Sequence, residues 1–256
     1  MHIVHIMKPS GFISCDLVAY RTVRYIIPLK KEQLMNIDTK ITPRLKMVAD
    51  LVPCCTLVAD IGTDHGYLPI YLVNRGICER AIAADVNEGP LSSAKKNIAE
   101  TRVKDRIETI LSDGLKKIEN ADCVTIAGMG GELIASILEH RKENMTRFVL
   151  QPQRSYDDLR RYLAQNGFEI KKEAVAKETD KMYCAFYAEY TGNAYEISTK
   201  EALLGKSELV EDKALYNEYV QYRKKEVEKA LNQMEKAKAT GERREELEKL
   251  LEIFSL

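Results

Sequence analysis

The chain has 256 residues, 45% of them hydrophobic, and a formal net charge of zero. This supports one globular α/β domain with a smaller appendage. It excludes a global field that would draw the whole chain onto nucleic acid, so any RNA contact must come from a local basic patch. No apolar run approaches the roughly 20 residues that span a bilayer, and no membrane partner is expected. Cys15, Cys54, Cys55, Cys78, Cys123 and Cys184 form no C-x-x-C pair, and the histidines are few and scattered. They read as reduced core thiols in a cytoplasmic protein without a metal site, with Cys78 and Cys123 in or beside strands.

Residues 1–34 hold short apolar patches, Ile3-Val4 and Tyr25-Ile26-Ile27, with no sustained period and no signal-peptide pattern. They read as a poorly ordered extension outside the folded domain, with Met35 as a candidate start residue. The organisation expected is therefore an extension (1–34), a cofactor-binding domain (35–193) and a helical domain (194–256).

Thr42-Pro43-Arg44 is a helix start, a capping hydroxyl followed by proline. Pro53 ends that helix, and a strand follows over 56–60. The turn Gly62–Gly66 leads into a helix over 68–75 that stops at Gly76. Strands are expected over 81–85, 107–111, 123–127 and 148–151. Helices alternate with them over 90–100, 131–140 and 157–166. Leu133, Ile134, Ile137 and Leu138 are placed together on one helix face. Two longer strands, 168–176 and 182–190, read as an antiparallel hairpin at a sheet edge. Alternating short strands and helices imply a mainly parallel sheet covered on both faces.

Beyond about Ser198 glycine and proline nearly vanish. Leu209, Tyr216, Val220, Val227, Ala230 and Met234 fall on a seven-residue repeat interrupted by Arg223. Leu247, Leu250, Leu251 and Phe254 form a second stripe after Gly241. The pattern suggests two antiparallel helices packed as a coiled coil. Gly205-Lys206-Ser207 is not a phosphate-binding loop, because it lacks the upstream glycine and lies in a helical context.

The chemistry centres on V-A-D-I-G-T-D-H-G-Y at 58–67. A strand, a glycine turn and a helix in that order make a nucleotide-type cofactor site at the carboxyl end of a first strand. A dinucleotide fingerprint needs a glycine where this chain has Asp64. A carboxylate there would repel phosphate by about 1 kcal/mol in water and about 4 kcal/mol near a protein surface at about 4 Å. S-adenosylmethionine carries a sulfonium and an ammonium instead, and Asp60, Asp64 and Asp113 suit both. Asp85, ending the second strand, can accept both ribose hydroxyls of an adenosine. Asn87 and Glu88 border it. Asp113-Gly114 either bonds an adenine amino group or serves as a plain turn. Gly128-Met129-Gly130-Gly131 leaves room for close approach of a ligand. His65 is either catalytic or a positional hydrogen-bonding group.

D-I-G-T-D-H-G-Y-L-P, A-A-D-V-N, S-D-G-L and A-G-M-G-G, in this order and spacing, resemble the bacterial tRNA (adenine-22-N1)-methyltransferases, the TrmK family. The resemblance runs from about Asn36 to the C-terminus. It implies a Rossmann-like class I methyltransferase sheet with a helical appendage, S-adenosylmethionine as donor, and methylation of N1 of adenine 22 in tRNA. It places cofactor contacts on Asp60, Gly62, Asp64, His65, Gly66, Asp85, Asn87, Asp113 and Gly128, to which Gly114 and Met129 are added by position. Adenine N1 has an in-plane lone pair and no proton to lose before attack. Catalysis can then rest mainly on alignment, which supplies about 7–11 kcal/mol. Asp64 is the candidate carboxylate beside the cationic product ring, and His65 the second catalytic candidate. The base must be unpaired or extruded to react. Met129, Tyr67, Gln151 and Pro152 are candidate walls of its pocket. Arg44, Arg223-Lys224-Lys225 and Arg243-Arg244 are candidate tRNA contacts, each cluster equally readable as a solvated helix face. The alternatives are a methyltransferase acting on a small molecule or protein, and a non-catalytic donor- or RNA-binding module. Oligomeric state stays open, with a monomer sufficient.

Overall fold

The computed structural model describes residues 40–236 and 241–254. The 1–34 extension, Met35 and Cys15 lie outside them. The described elements are α1 (Pro43–Leu51), β1 (Cys55–Ile61), α2 (Tyr67–Asn74), β2 (Cys78–Asp85), α3 (Glu88–Ala99), β3 (Ile107–Leu111), β4 (Cys123–Gly130) and α4 (Gly131–Leu138). They continue with β5 (Arg147–Arg154), α5 (Tyr156–Gln165), β6 (Phe168–Glu178), β7 (Lys181–Tyr190), α6 (Thr199–Leu204), α7 (Lys213–Lys236) and α8 (Glu242–Ile253).

One seven-stranded sheet runs in the order β3-β2-β1-β4-β5-β7-β6. The strands from β3 to β5 are parallel, and β7 pairs antiparallel with both β5 and β6, which is the expected edge hairpin. Period-2 alternation divides the core between the two faces. Ile61, Ile126, Phe148, Leu150 and Phe186 point to α4, α5 and the first turns of α7. Val58, Ala83, Cys123, Val149 and Ala185 point to α1, α2 and α3. Thr42 caps α1 as expected, its hydroxyl accepting from Leu45 N at 3.3 Å.

Three local expectations are corrected. Leu133 does not share the buried face of α4 and is 52% exposed. Gly205 lies not within a helix but in the loop between α6 and a 3-10 turn over Ser207–Leu209, which also takes Leu209 out of α7. Among the thiols, Cys78, Cys123 and Cys184 are core residues, whereas Cys54 is exposed and Cys55 only partly covered.

α7 is not wholly an appendage. Tyr216 and Tyr219 in its first turns belong to the sheet core, and the Tyr219 hydroxyl lies 3.5 Å from Cys184 Sγ. Its later turns pack against α8, where Val227 and Leu247 are buried.

α6 is held to the edge strand by an ion pair that periodicity could not reveal. Arg160 on α5, 2% exposed, donates to Glu173 of β6 at 2.7 Å and to Ala202 O at 2.9 Å. Its guanidinium lies over the Phe186 ring, 4.3 Å from the centroid. The other Glu173 oxygen accepts from Lys206 N at 3.2 Å. Gly205, at φ +76°, crosses so close to that carboxylate that a Cβ would overlap it. Removing one member of a buried pair leaves the other charge unpaired, at a cost of about 3–5 kcal/mol. Arg160→Met should therefore lower stability by about that much in urea unfolding. The double variant Arg160→Met/Glu173→Leu should lose less than Arg160→Met alone.

Candidate active site

β1 and β4 are neighbours, yet the helices after them leave to opposite faces of the sheet. Strand order reverses here, and the backbones part at their carboxyl ends. Two adjoining clefts of about 410 Å³ each occupy the fork and share Gly62, Ala127 and Gly128.

The turn after β1 is strapped down before any ligand enters. Gly62 N and Thr63 N both donate to Ala84 O of β2, at 2.8 and 2.9 Å. This needs φ +77° at Gly62, which favours glycine, and the Met129 side chain folds over the space a Cβ would fill. Asp60, next to last in β1, is 5% exposed, with the Thr125 hydroxyl of β4 donating to it at 2.7 Å. Burial pushes the Asp60 carboxyl above its ordinary pKa, opposed by that hydroxyl bond. Thr63 Oγ1 is buried beside the turn and also acts to hold the Asp60 carboxyl down, without a well-formed hydrogen bond among the described residues.

The first cleft lies over β2 and β3. Asp85 ends β2, buried, one oxygen accepting from Asn87 N at 2.8 Å. Asp113 is exposed and pairs with Lys116 at 2.5 Å, whose hydrogen bond holds its carboxyl below the usual range. Gly114 packs against Ile137 beneath. Val86 and Leu133, 58% and 52% exposed, line the same cleft. Large apolar side chains left open around two carboxylates suit a flat heteroaromatic ring attached to a polyhydroxyl sugar. The second cleft holds Asp60, Thr63, Asp64, His65, Tyr67 and Arg44. Asp64 and His65 are exposed at its rim, 3.4 Å apart. The His65 ring stacks on Tyr67 at 5.3 Å, and its carbonyl accepts from Asn97 Nδ2 at 2.9 Å. Gly66, at φ +71°, starts α2.

The residues fit S-adenosylmethionine. A carboxylate pair and an apolar wall suit the adenosine, and buried Asp60 with the Thr63 hydroxyl suits a cationic tail. The turn offers a carboxylate where a pyrophosphate would need open backbone.

Comparison with known proteins gives the same answer. Residues 58–254 match the family model described as tRNA (adenine(22)-N(1))-methyltransferase. The chain belongs to that family. It is 38% identical over 157 residues to the tRNA (adenine(22)-N(1))-methyltransferase of Bacillus subtilis, an alignment covering 59% of this chain and 66%, just under two thirds, of that protein. The M. capricolum TrmK structure in complex with S-adenosyl-homocysteine is 31% identical with TM-score 0.70, covering 83% of this chain and 95% of that one. A Streptococcus pneumoniae protein solved in complex with S-adenosyl-L-methionine is 35% identical with TM-score 0.72, covering 84% and 98%.

Met129 lines the first cleft and folds over Gly62. Tyr67 borders the second cleft. Gln151 and Pro152 are not open walls: both are buried, because β5 runs on to Arg154 and Pro152 pairs in register with Met129. Gln151 Oε1 accepts from Gly128 N at 3.1 Å and from Arg44 Nη1 at 2.7 Å. Arg223 is not on a solvated face either. Its side chain is 14% exposed, lies over the Tyr156 ring at 4.4 Å and pairs with Glu226 at 2.9 Å. Lys224 is half-buried and Lys225 exposed. Arg244 pairs with Glu248 at 2.8 Å. Among the described residues no group of His, Cys, Asp and Glu could hold a metal, and no helix is long and apolar enough to cross a membrane.

Sequence reasoning missed Val86, Leu133, Thr63 and Thr125. Only Thr125 carried a signal, as the one polar residue inside the apolar run 123–127.

The raised pKa of Asp60 fixes the sign of a linkage. The folded state holds a proton there more tightly than the unfolded chain, so ionised Asp60 destabilises the apo fold at neutral pH, and that cost vanishes as pH falls. Asp60→Asn should raise the urea midpoint of the free protein while weakening S-adenosylmethionine by roughly tenfold or more in calorimetry.

Proposed function

We propose that this chain transfers the methyl group of S-adenosylmethionine to N1 of adenine 22 in tRNA. The observation that carries the reading is the double acid-lined cleft at the β1/β4 fork, built by residues matched to the family model. When bound, S-adenosylmethionine supplies an electrophilic methyl group on a sulfonium.

The chain's own part is mostly positional. Asp85 takes the ribose hydroxyls, and Val86 and Leu133 enclose the adenine of the donor. Asp60 and Thr63 take the ammonium. The second cleft opens past Gly128 and Tyr67, where an extruded adenine presents its Watson–Crick edge to the methyl group. No proton leaves N1 before attack, so alignment supplies most of the acceleration. The product ring is cationic, and Asp64 at the rim is placed to stabilise it or take the amino proton. His65, stacked on Tyr67 and 3.4 Å from Asp64, orients that carboxylate.

tRNA contacts fall to exposed cations. Lys225 and Lys229 stand open on α7, Lys40 at the cleft rim, and Arg154 at the end of β5. Deleting residues 195–256, the obvious truncation from sequence, would strip Tyr219 and the α6 staple from the core, so charge reversal is the cleaner probe. Lys225→Glu/Lys229→Glu should raise KM for tRNA and flatten its salt dependence by about two phosphate contacts, leaving donor affinity unchanged.

Nucleoside mass spectrometry of tRNA incubated with the protein and labelled donor should find 1-methyladenosine at position 22. Transfer to no tRNA position, with the donor bound, would refute the reading. Asp64→Asn should lower kcat at saturating donor by about 10²–10⁴-fold if the carboxylate takes the proton, and full turnover would remove that role.

A further inference from the structure

The end of the sheet opposite the donor clefts carries a group of cysteines that methyl transfer does not use. Cys54 precedes β1, Cys55 opens it and Cys78 opens β2, and all three are free thiols. Asp60 and Asp85 lie towards the carboxyl ends of the same two strands.

The sheet itself brings Cys55 and Cys78 together. They are direct partners in the parallel register of β1 and β2, and Cys55 N donates to Ile77 O beside them at 3.2 Å. Neighbouring strands run about 4.7–4.9 Å apart, inside the roughly 4.4–6.8 Å Cα separation that a disulfide spans. Both side chains pack on the side of the sheet covered by α1, α2 and α3. The Cys78 thiol donates to the Cys55 sulfur, so the two side chains already meet. That bond holds the Cys55 thiol below its ordinary pKa, against burial, and pushes the Cys78 thiol up.

Exposure divides the roles. Cys55 is only partly covered, whereas Cys78 is 1% exposed. A sulfur that a small solute can reach, backed by a second thiol that it cannot, is the arrangement of an oxidisable pair. The other nearby thiols do not share it. Cys54 is exposed but lies outside the register of β1, and Cys123 is fully buried on β4 opposite Val58.

We propose that Cys55 and Cys78 form a dithiol that a hydroperoxide oxidises, with Cys55 as the attacking sulfur and Cys78 as the thiol that closes the disulfide. The Cys55 sulfur attacks one peroxide oxygen, the O–O bond breaks, and a sulfenic acid and hydroxide form. The Cys78 sulfur then attacks the Cys55 sulfur, the S–O bond breaks, and the leaving hydroxide takes the Cys78 proton as water. The two thiols lose two electrons and two protons, and the peroxide becomes two waters. A thiol reductant reverses the step by exchange. The pair is independent of methyl transfer and lies at the far end of both strands from the donor.

The test treats the full-length protein with hydrogen peroxide, alkylates the remaining thiols and maps the peptides by mass spectrometry without reduction. Cys55 and Cys78 should be joined with loss of two hydrogen atoms, and dithiothreitol should restore both thiols. Cys15→Ser/Cys54→Ser, which removes the adjoining cysteine from the same peptide, should form the same bond. Cys78→Ala should stop at a Cys55 sulfenic acid that dimedone traps, and Cys55→Ala should leave Cys78 a free thiol. The map of the wild-type protein decides the matter even where a variant does not fold. A bond made through Cys54 in its place, or a Cys55 that is still alkylated after Cys54 has been oxidised, would overturn the inference.

Discussion

The structure depends on one constraint, the reversal of strand order between β1 and β4. Parallel neighbours whose helices leave to opposite faces cannot keep their carboxyl ends closed. The fork exposes backbone donors and acceptors that the sheet no longer pairs. The chain settles them locally: Ala84 O takes two turn N–H groups, and Gln151 Oε1 takes Gly128 N. The turn and the glycine run are thus rigid before a ligand arrives, and a pre-formed site loses less freedom on binding.

Electrostatics then select what enters. Asp60 is buried at the base of the fork at a cost to the free fold, visible in its raised pKa. Such a cost is common where a site is shaped for a charged ligand rather than for stability. Asp85 and Asp113 extend the acidic lining along β2 and β3. Arg44 is the exception to this acidity, and Gln151 fixes it from beneath. A cationic tail flanked by an adenosine satisfies the acids, where a pyrophosphate would be repelled by them.

The far edge of the sheet shows a different economy. Arg160 and Glu173 are both withdrawn from water and paired with each other, with Ala202 O and Lys206 N as further partners and Arg160 Nε left without one among the described residues. This pair ties α6 to the edge strand and so fixes where α7 begins. Tyr219 and Arg223 then lock the first turns of α7 against β7 and Tyr156. The helical pair therefore continues from the sheet core rather than hanging from a linker, and its later turns carry their exposed lysines in a set direction.

Much of this was legible in the chain. Local signals decided the elements: Thr42-Pro43 for a helix start, short apolar runs for strands, and carboxylates at strand ends for the ligand. The order β-α-β with short connections determined a parallel sheet, and Asp64 in the glycine turn chose the donor, because both depend only on neighbours in sequence. Tertiary structure alone decided the rest. Leu133 looked like core because periodicity cannot tell which edge of an apolar stripe a ligand will cover. Gln151 looked like a pocket wall and Arg223 like a solvated cation, because whether a polar side chain faces water depends on partners such as Arg44, Gly128 and Tyr156 that lie far away along the chain. Sequence order specified which groups exist at each strand end, and only folding brought Arg44, Gln151 and Gly128 within one hydrogen-bonding radius.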